Sequence, residues 1–271
     1  MVIAAEYIKP VGIGVTAPQF FRGLDGRIYI VKLCRKEEHT KVLANEWLGA
    51  RLAQVLELPL PTYDQIEISA AIINRHVMLQ KLQAMPGLHF ASVYLADSEY
   101  VTRRAVKEAL TNCNQLVGIL FFDHLFCNRD RAKNRKNLLM APTPQGYQCY
   151  AIDHSHFCGS GKWSVATLEK LGPIVKIYYG FLFGFLLQRF AKREDFIPYL
   201  TRVKAIDAGL IDSILQEIPE PWLRSSEERQ ALAAFIQQRC GLADKIFTEL
   251  CRQIPVVRGG TSRYSYRRIK L

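Results

Sequence analysis

Apolar runs and turn residues alternate most clearly in the middle of this 271-residue chain. Two short apolar runs, Asn137–Ala141 and Tyr147–Ile152, flank the sequence Pro142-Thr143-Pro144-Gln145-Gly146. Because proline fixes φ and glycine permits a positive φ, this pattern predicts two strands joined in a hairpin. The chemistry that the sequence suggests is arranged around this hairpin.

Oxygen-bearing side chains lie at one end of the predicted hairpin. Asp130 is in the polar loop before the first strand, Asn137 opens that strand, and Asp153 follows the second strand. Carboxylate and amide oxygens are ligands that Mg²⁺ prefers, usually shared with substrate phosphates. Singly, each residue is more often a cap or a turn residue. Together they fit a phosphoryl-transfer site, with Asp130 near the attacking hydroxyl and Asn137 and Asp153 on the metal.

Residues 1–83 are predicted to form a β-rich lobe with one helix. Leu24-Asp25-Gly26 is typical of a tight turn, so Phe20–Gly23 and Arg27–Leu33 should pair as antiparallel strands. The stretch VLANEWLGARLAQVLELPLP, residues 42–61, places apolar residues at helical spacing and ends in prolines. A strand hairpin followed by an amphipathic helix is therefore expected.

Candidate phosphate ligands accompany these elements. Strand alternation places Lys32 on a face with apolar neighbours, where an unpaired amine is costly unless it snorkels to water. Glu46 lies off the apolar stripe of the helix; it either suits the helix dipole or pairs with Lys32. Ahead of the strands, residues 12–18 include Gly14 and Thr16, whose backbone N–H groups and hydroxyl could cover phosphates.

A crossover between two lobes is predicted near Gln80–Pro86. Tyr63–Ile68 and Ala71–Leu79 are apolar runs of strand type, and residues 76–80, HVMLQ, are expected to be the strand that leaves the first lobe. Because backbone groups at such a crossover suit an adenine edge, Gln80 is included among the nucleotide-binding residues.

The rest of the chain is predicted to be mainly helical. Helices are expected over Tyr100–Phe126, over Ile177–Gln188 and through most of residues 164–251, with Ser225 as an N-terminal cap. The predicted division is a first lobe of residues 1–83, a second lobe of residues 84–251 and a basic tail of residues 252–271.

Composition narrows the class of protein. Hydrophobic residues make up 49% and charged residues 23%, which is typical of a soluble globular protein. The apolar run within Ile177–Gln188 is too short to span a bilayer, so no membrane span is expected. Seven cysteines without a C-x-x-C pair favour reduced thiols. A cytoplasmic location is therefore expected.

Charge is spread unevenly along the chain. Residues 252–271 carry six of the lysines and arginines and no acid, which leaves +5 of the net charge of +11 for the other 251 residues. With Tyr264 and Tyr266 interleaved, this tail is either a solvated terminus or a contact for nucleic acid, anionic lipid or an acidic partner.

Several stretches, in this order and spacing, resemble the HipA-like kinases. The most specific are NRDRAKNRKNLL followed by AIDHS, and the others are GVTAP, IYIVK, LANEWLGARLAQVLELPLP and PGLHFASVYL. The resemblance covers about residues 8–250 and is to the compact bacterial subgroup that lacks the extra N-terminal subdomain of HipA. It implies an α+β, protein-kinase-like fold with a small β-rich N-lobe and a larger helical C-lobe, and the use of ATP and Mg²⁺.

The resemblance also implies residue roles. Asp130 is similar to the catalytic aspartate, Asn137 and Asp153 to the metal ligands, and Lys32 to the strand lysine that binds the α/β-phosphates. The expected helix partner of the lysine is Glu46, and Gly14 and Thr16 match the phosphate-covering loop.

Two departures from the family pattern leave the metal ligand open. Asn128-Arg129-Asp130 replaces His-Arg-Asp, and Asp130 and Asn137 are seven residues apart rather than five. Asn134 lies four positions after Asp130 and is a rival ligand, although the strand that follows Asn137 favours the latter.

The leading hypothesis is ATP-dependent transfer of a phosphoryl group to a hydroxyl acceptor, a Ser or Thr of a protein. Three alternatives stay open: a nucleotide-binding pseudokinase or scaffold, a nucleic-acid-binding protein acting through the basic tail, and a metal hydrolase built on His124, His154 and His156. The resemblance also permits an antitoxin-like partner.

Overall fold

The computed structural model describes residues 1–36, 41–101, 110–180 and 191–254. Within these ranges the strands are β1 (Val2–Pro10), β2 (Gln19–Gly23), β3 (Ile28–Lys32), β4 (Tyr63–Ile68), β5 (Gly87–Val93), β6 (Glu99–Tyr100), β7 (Leu138–Thr143) and β8 (Gly146–Ala151). The helices of the first half are α1 (Val42–Val55), α2 (Ala70–Arg75), α3 (Val77–Lys81), α4 (Cys113–Leu125) and α5 (Asp130–Lys133). Those of the second half are α6 (Val165–Leu171), α7 (Arg193–Lys204), α8 (Ala208–Gln216), α9 (Ser226–Gly241) and α10 (Ala243–Cys251).

The first five strands close into a small barrel. Their order is β1-β2-β3-β5-β4, and the barrel closes through a short parallel pairing of Val2 with Ile66. The predicted hairpin of β2 and β3 is confirmed, with the turn at Leu24–Gly26. Alternation along β3 directs Tyr29 and Val31 into a barrel core, whereas Lys32 lies on the opposite, half-buried face. The barrel therefore presents Lys32 outward.

The predicted strand Ala71–Leu79 is wrong, because this stretch forms α2 and α3. The Ser69 hydroxyl caps α2 by accepting a hydrogen bond from the N–H of Ile72 at 3.3 Å. The strand between β3 and β4 is instead β5, which pairs with both neighbours. A domain boundary between residues 83 and 84 would therefore separate β5 from the other strands of the barrel.

Helix α1 belongs to the large core of the chain rather than to the barrel core. Leu48 and Leu52 are fully buried and pack in one cluster with residues from α4 and from the C-terminal helices. The helical stripe predicted from the sequence is therefore confirmed. Since α1 follows β3 directly, it joins the barrel to the helical part of the chain.

The predicted hairpin in the middle of the chain is also confirmed. Strands β7 and β8 pair in antiparallel register from Leu138–Ala151 to Thr143–Gly146. Before it, Tyr100 of the predicted helix Tyr100–Phe126 lies instead in β6, where it pairs with Leu139 of β7, and the described helix α4 begins at Cys113. Residues 102–109 lie outside the described part of the chain.

Helices α6–α10 confirm that the described part of residues 164–251 is mainly helical. Ser225 caps α9 as predicted, by accepting a hydrogen bond from the N–H of Glu228. Residues 177–180 of the predicted helix Ile177–Gln188 are irregular, and the rest of it lies outside the described residues, as do residues 255–271 of the basic tail. Among the described residues, every helix is too short or too polar to serve as a membrane span.

We predict that Gly49→Ala destabilises the fold, because a Cβ at Gly49 of α1 would lie 2.5 Å from the Cβ of buried His154. Overpacking of this kind lowers the free energy of unfolding by about 1–3 kcal/mol, which urea denaturation would measure. Gly241→Ala is the matched control, since its added Cβ meets no atom within 4 Å. Equal stability of the two variants would contradict the close packing of α1 on residue 154.

Candidate functional site

Three side chains from distant parts of the chain meet at the ammonium group of Lys32. Its Nζ lies 2.5 Å from Oε1 of Glu46 and 2.9 Å from Oδ1 of Asp153. Lys32 is the last residue of β3, Glu46 lies in α1, and Asp153 follows β8. The structure thus brings together the lysine, the glutamate and one of the two aspartates singled out in the sequence.

Burial makes these charges depend on one another. The side chains of Lys32 and Glu46 are 12% and 2% exposed, so neither can be solvated fully. Burial alone lowers the pKa of Lys32, but the carboxylates of Glu46 and Asp153 outweigh it and raise that pKa above its ordinary value. Burial likewise opposes ionisation of Asp153, yet Lys32 and hydrogen bonds from Ser155 hold the Asp153 pKa well below its usual range. Lys32 and Asp153 are therefore both charged at neutral pH.

The backbone around Asp153 is held in an unusual conformation. Its φ is 62°, in the left-handed region that few residues other than glycine, asparagine and aspartate adopt. Oδ1 of Asp153 accepts hydrogen bonds from N–H and Oγ of Ser155 at 3.2 and 2.5 Å. Oε2 of Glu46 accepts one from the N–H of His154 at 3.1 Å. The turn after β8 is fixed to both Lys32 and α1 by these contacts.

A second group of site residues lies at the start of the hairpin. Nδ2 of Asn137 donates to Oδ2 of Asp130 at 2.6 Å, and Oδ1 of Asn137 accepts from Nδ2 of Asn134 at 3.1 Å. Oδ1 of Asn134 caps the short 3₁₀ helix Arg135–Asn137 by accepting from the N–H of Lys136. Asp130, Asn134 and Asn137 therefore form one connected set, in which Asn134 supports Asn137.

Buried Arg131 connects the two groups, and the sequence analysis missed it. Its Nη1 forms an ion pair with Oδ1 of Asp123 in α4, and its Nη2 donates to the carbonyls of Ile152 and Asp153 at 3.1 and 3.3 Å. The N–H of Ile152 also donates to the carbonyl of Asn137 at 3.0 Å. Arg131 thus holds the loop of Asp130 against Asp153. In the sequence, the only indication of this role was that Arg131 directly follows Asp130.

Asn45, next to Glu46 in α1, is a further residue that the sequence analysis missed. Its fully buried Nδ2 donates to the carbonyls of Ser155, Phe157 and Ser160 at 2.8, 2.9 and 3.1 Å. Its Oδ1 accepts from Nε1 of Trp163 at 2.9 Å. The helix that carries Glu46 is therefore fastened to the segment that follows Asp153. In the sequence, this role was indicated by the position of Asn45 as a polar residue within an apolar helical run.

The glycine-containing loop lies between β1 and β2. Gly14 has a φ of 97°, and its carbonyl accepts from the N–H of Ala17 at 3.0 Å. The carbonyl of Thr16 accepts from Nη2 of Arg35 at 2.5 Å. The loop is thus tied to the end of the β3 segment by Arg35, rather than by a direct contact of Gly14 or Thr16 with Lys32.

Gln80 does not join these residues. It is exposed on α3, and its Nε2 donates to the carbonyl of Asn74 at 2.6 Å. The expectation failed because residues 76–80 are not the strand that leaves the barrel. That strand is β5, so the crossover begins at Tyr94, whose N–H donates to the carbonyl of Ile28 of β3.

The three histidines of the hydrolase alternative have separate surroundings. Nδ1 of His124 bonds the carbonyl of Leu120 at 2.8 Å, and its Nε2 accepts from the N–H of Tyr178 at 2.9 Å. His154 is buried against α1, whereas His156 is half-exposed, with Nδ1 3.9 Å from Oδ2 of Asp130. Both ring nitrogens of His124 are thus engaged in the core, which removes it from a shared metal site. Across the described residues there is no group of three His, Cys, Asp or Glu side chains suited to a metal ion.

A cavity of about 580 Å³ lies elsewhere, between α1, β4 and Glu217. Its polar wall is formed by Arg51, whose Nε and Nη2 bond the Glu217 carboxylate at 2.7 and 2.9 Å. It shares no lining residue with the group around Lys32. This cavity is therefore separate from the side chains around Lys32 and Asp130.

Comparisons with known proteins identify a family and similar folds. A family model described as HipA-like kinase matches residues 4–158. Among solved structures, the fold is similar to the Helicobacter pylori proinflammatory kinase CtkA, with a TM-score of 0.55 and 17% identity over 90% of this chain and 96% of that one.

Two further solved structures share the fold. The Golgi casein kinase with Mn and ADP bound has a TM-score of 0.53 and 11% identity over 91% of this chain and 73% of its own. Hydra Fam20 with sugar has a TM-score of 0.53 and 12% identity over 93% and 88%. A search of curated proteins found no match to this sequence. The structural similarity shows a mixed α/β, kinase-like fold.

We predict that Asn45→Asp destabilises the protein more than Asn45→Ala does. Alanine removes the hydrogen bonds to three carbonyls, at a cost of about 1–3 kcal/mol, whereas aspartate turns a buried carboxylate toward those carbonyls. Chemical denaturation would measure both. Asn74→Asp, the same change at an exposed position of α2, is the control and should be nearly neutral. A smaller loss of stability for the aspartate variant than for the alanine variant would contradict the donor role of this amide.

Proposed function

The chain belongs to the HipA-like kinase family, and from that premise we propose that it transfers the γ-phosphoryl group of ATP to a protein hydroxyl, on Ser or Thr. The observation that carries this proposal is the convergence of Lys32, Glu46 and Asp153 next to the linked pair of Asp130 and Asn137. Kinase catalysis depends on a lysine held by a glutamate, an aspartate and an asparagine for the metal, and an aspartate near the acceptor.

Lys32 is proposed to hold the α- and β-phosphates. A buried ammonium that already faces two carboxylates is positioned in advance, so little side-chain entropy is lost when the nucleotide binds. Glu46 would keep the lysine in place while Asp153 turns toward the metal. The loop with Gly14 and Thr16 would cover the phosphates, steadied by Arg35.

The donor set fits a magnesium ion. Asp153 and Asn137 offer a carboxylate and a carboxamide oxygen, and Mg²⁺ is usually held by one or two such groups together with substrate phosphates. When bound, the ion would neutralise the charge that develops on the phosphate oxygens. The solved Golgi casein kinase contains Mn and ADP, which supports nucleotide and divalent-metal use by this fold.

Asp130 is proposed to orient the acceptor hydroxyl. Asn137 holds its Oδ2, which leaves Oδ1 to accept the hydroxyl proton. Its side chain is 27% exposed, so an acceptor can approach it from solvent. Arg131 keeps the loop of Asp130 at a fixed distance from Asp153 through the carbonyl contacts at residues 152 and 153.

The adenine edge is proposed to meet the backbone after β5, at residues 94–96, rather than Gln80. This segment follows β5, which pairs with β3, and it leaves the barrel beside Ile28, four residues before Lys32 on the same strand. The division into lobes, the cytoplasmic location and an antitoxin-like partner remain predictions. A role of residues 252–271 in binding nucleic acid or an acidic partner also remains one.

We predict that Asp130→Asn lowers kcat by about 10³-fold and leaves ATP affinity nearly unchanged, because it removes the group near the acceptor. Asp153→Asn should instead abolish the magnesium-dependent part of ATP binding. Transfer from labelled ATP to lysate proteins and calorimetry with ATP, with and without Mg²⁺, would measure these effects. Asp212→Asn, an exposed residue of α8, is the control. If both site variants keep wild-type transfer, the assignment fails; nucleotide binding without transfer by the wild type would support a scaffold.

A second prediction separates the two candidate metal ligands. Asn137→Ala should raise the Mg²⁺ concentration needed for half-maximal transfer far more than Asn134→Ala, because Oδ1 of Asn134 is already used as a cap. Asn134→Ala should mainly lower stability, by about 1 kcal/mol, which is the usual cost of a lost cap. The opposite order of magnesium requirements would assign the metal to Asn134.

A further inference from the structure

Positive charge outside the tail is concentrated in the segment that carries the site. Residues 127–180 contain eight lysines and arginines but three aspartates and glutamates, a net charge of +5. Residues 1–126 and 181–251 have net charges of +1 and −1. The cationic excess of the first 251 residues therefore coincides with the segment that contains Asp130, Asn137 and Asp153.

Exposed cations surround Asp130 along α5 and the 3₁₀ helix that follows it. These exposed residues are Arg129, Lys133, Arg135 and Lys136. Arg131 differs from them, because it is buried and serves the fold. The guanidinium of Arg129 stands 5.4 Å from the ring centroid of Tyr178, which holds it beside the loop. Four cations thus share a short surface stretch next to the proposed catalytic carboxylate.

The two aspartates of residues 127–180 do not pair with Lys133 or Lys136, the two exposed lysines nearest to Asp130 in the sequence. Asp153 is committed to Lys32, and Asp130 is held by Asn137. In the part of the chain that the structure describes, neither Lys133 nor Lys136 forms an ion pair with a carboxylate. Like charges placed this closely repel one another, and an anionic ligand would relieve that repulsion.

We propose that the acceptor is an acidic polypeptide segment, in which the phosphorylated hydroxyl is flanked by Asp or Glu side chains that contact Lys133 and Lys136. This inference rests on the proposed kinase function and names its substrate class. Residues 129–136 comprise the one-turn helix α5 and the start of the 3₁₀ helix after it, so these cations lie on a short surface stretch. Such a surface is small for a polynucleotide, whose binding draws on cations that follow many phosphates.

Binding of a labelled peptide tests the proposal without requiring catalysis. The probes are a serine peptide flanked by glutamates and the same peptide with glutamines, measured by fluorescence anisotropy with the full chain. We expect the acidic peptide to bind at least about tenfold more tightly, with an affinity that falls as salt rises. Lys133→Gln/Lys136→Gln should remove most of this difference, because two exposed charge contacts are lost. Lys81→Gln/Lys245→Gln, which changes the net charge equally at remote exposed positions, should keep it.

Kinetics separate this proposal from the proposed function. The double variant should raise KM for the acidic peptide about tenfold, while kcat and KM for ATP measured with the glutamine peptide stay near wild type. Transfer by the wild type without preference for the acidic peptide would overturn the acceptor proposal and leave the kinase function intact. A raised KM for ATP in the double variant would assign the lysines to the nucleotide and also overturn it. Acidic-peptide binding without transfer to any peptide would instead count against the kinase function alone.

A polynucleotide acceptor is the remaining outcome to test. A single-stranded oligonucleotide can be compared with the acidic peptide at equal concentrations of negative charge. If the oligonucleotide displaces the peptide at the lower concentration, also from a chain shortened to residue 251, the proposal is overturned in favour of nucleic acid. Equal or weaker competition by the oligonucleotide supports the acidic peptide.

Discussion

One ammonium group lies between the two hydrophobic cores found in the described part of the chain. Lys32 ends a strand whose buried neighbours, Tyr29 and Val31, belong to the barrel core, whereas Glu46 lies in a helix that belongs to the large core. Its contacts with Glu46 and Asp153 therefore add a polar connection where the outer face of the barrel, through Phe90 of β5, already packs against the large core. Removing one partner would leave a buried charge without compensation, which is far more costly than losing an exposed ion pair. In the proposed function, the same interaction also positions the lysine for a nucleotide.

Local sequence rules were sufficient where a short segment determines its own conformation. The hairpin of β7 and β8 follows from proline and glycine in its turn, and the outward face of Lys32 follows from strand alternation. The rules failed for Ala71–Leu79, because a short apolar run fits a buried helix as well as a strand. The position of β5 between β3 and β4 is a long-range pairing that no local pattern contains, so the crossover and the role given to Gln80 were misplaced.

The side chains that meet around Lys32 and Asp130 were predictable from the sequence, but the residues that support them were not. Carboxylates and amides next to a turn are visible in the sequence, because their chemistry limits what they can do. Arg131 and Asn45 act mainly through backbone carbonyls, from about 20 to more than 100 residues away in the chain, and any residue can supply a carbonyl. Their roles therefore appear only once the fold has placed those carbonyls. For Asn45, a polar side chain inside an apolar run was the only indication, and it did not identify a partner.

The hydrogen bonds of Asn45 hold α1 in place and so limit how such an enzyme could be inactivated. With all three carbonyl contacts and the indole contact of its amide buried, α1 and residues 155–163 should move as a single rigid body. Swinging the helix outward would break four hydrogen bonds at once, so that route to an inactive state is energetically closed. Opening and closing around a nucleotide is then expected to come from tilting of the whole barrel relative to α1. A regulatory molecule would most simply act by moving the barrel away from α1.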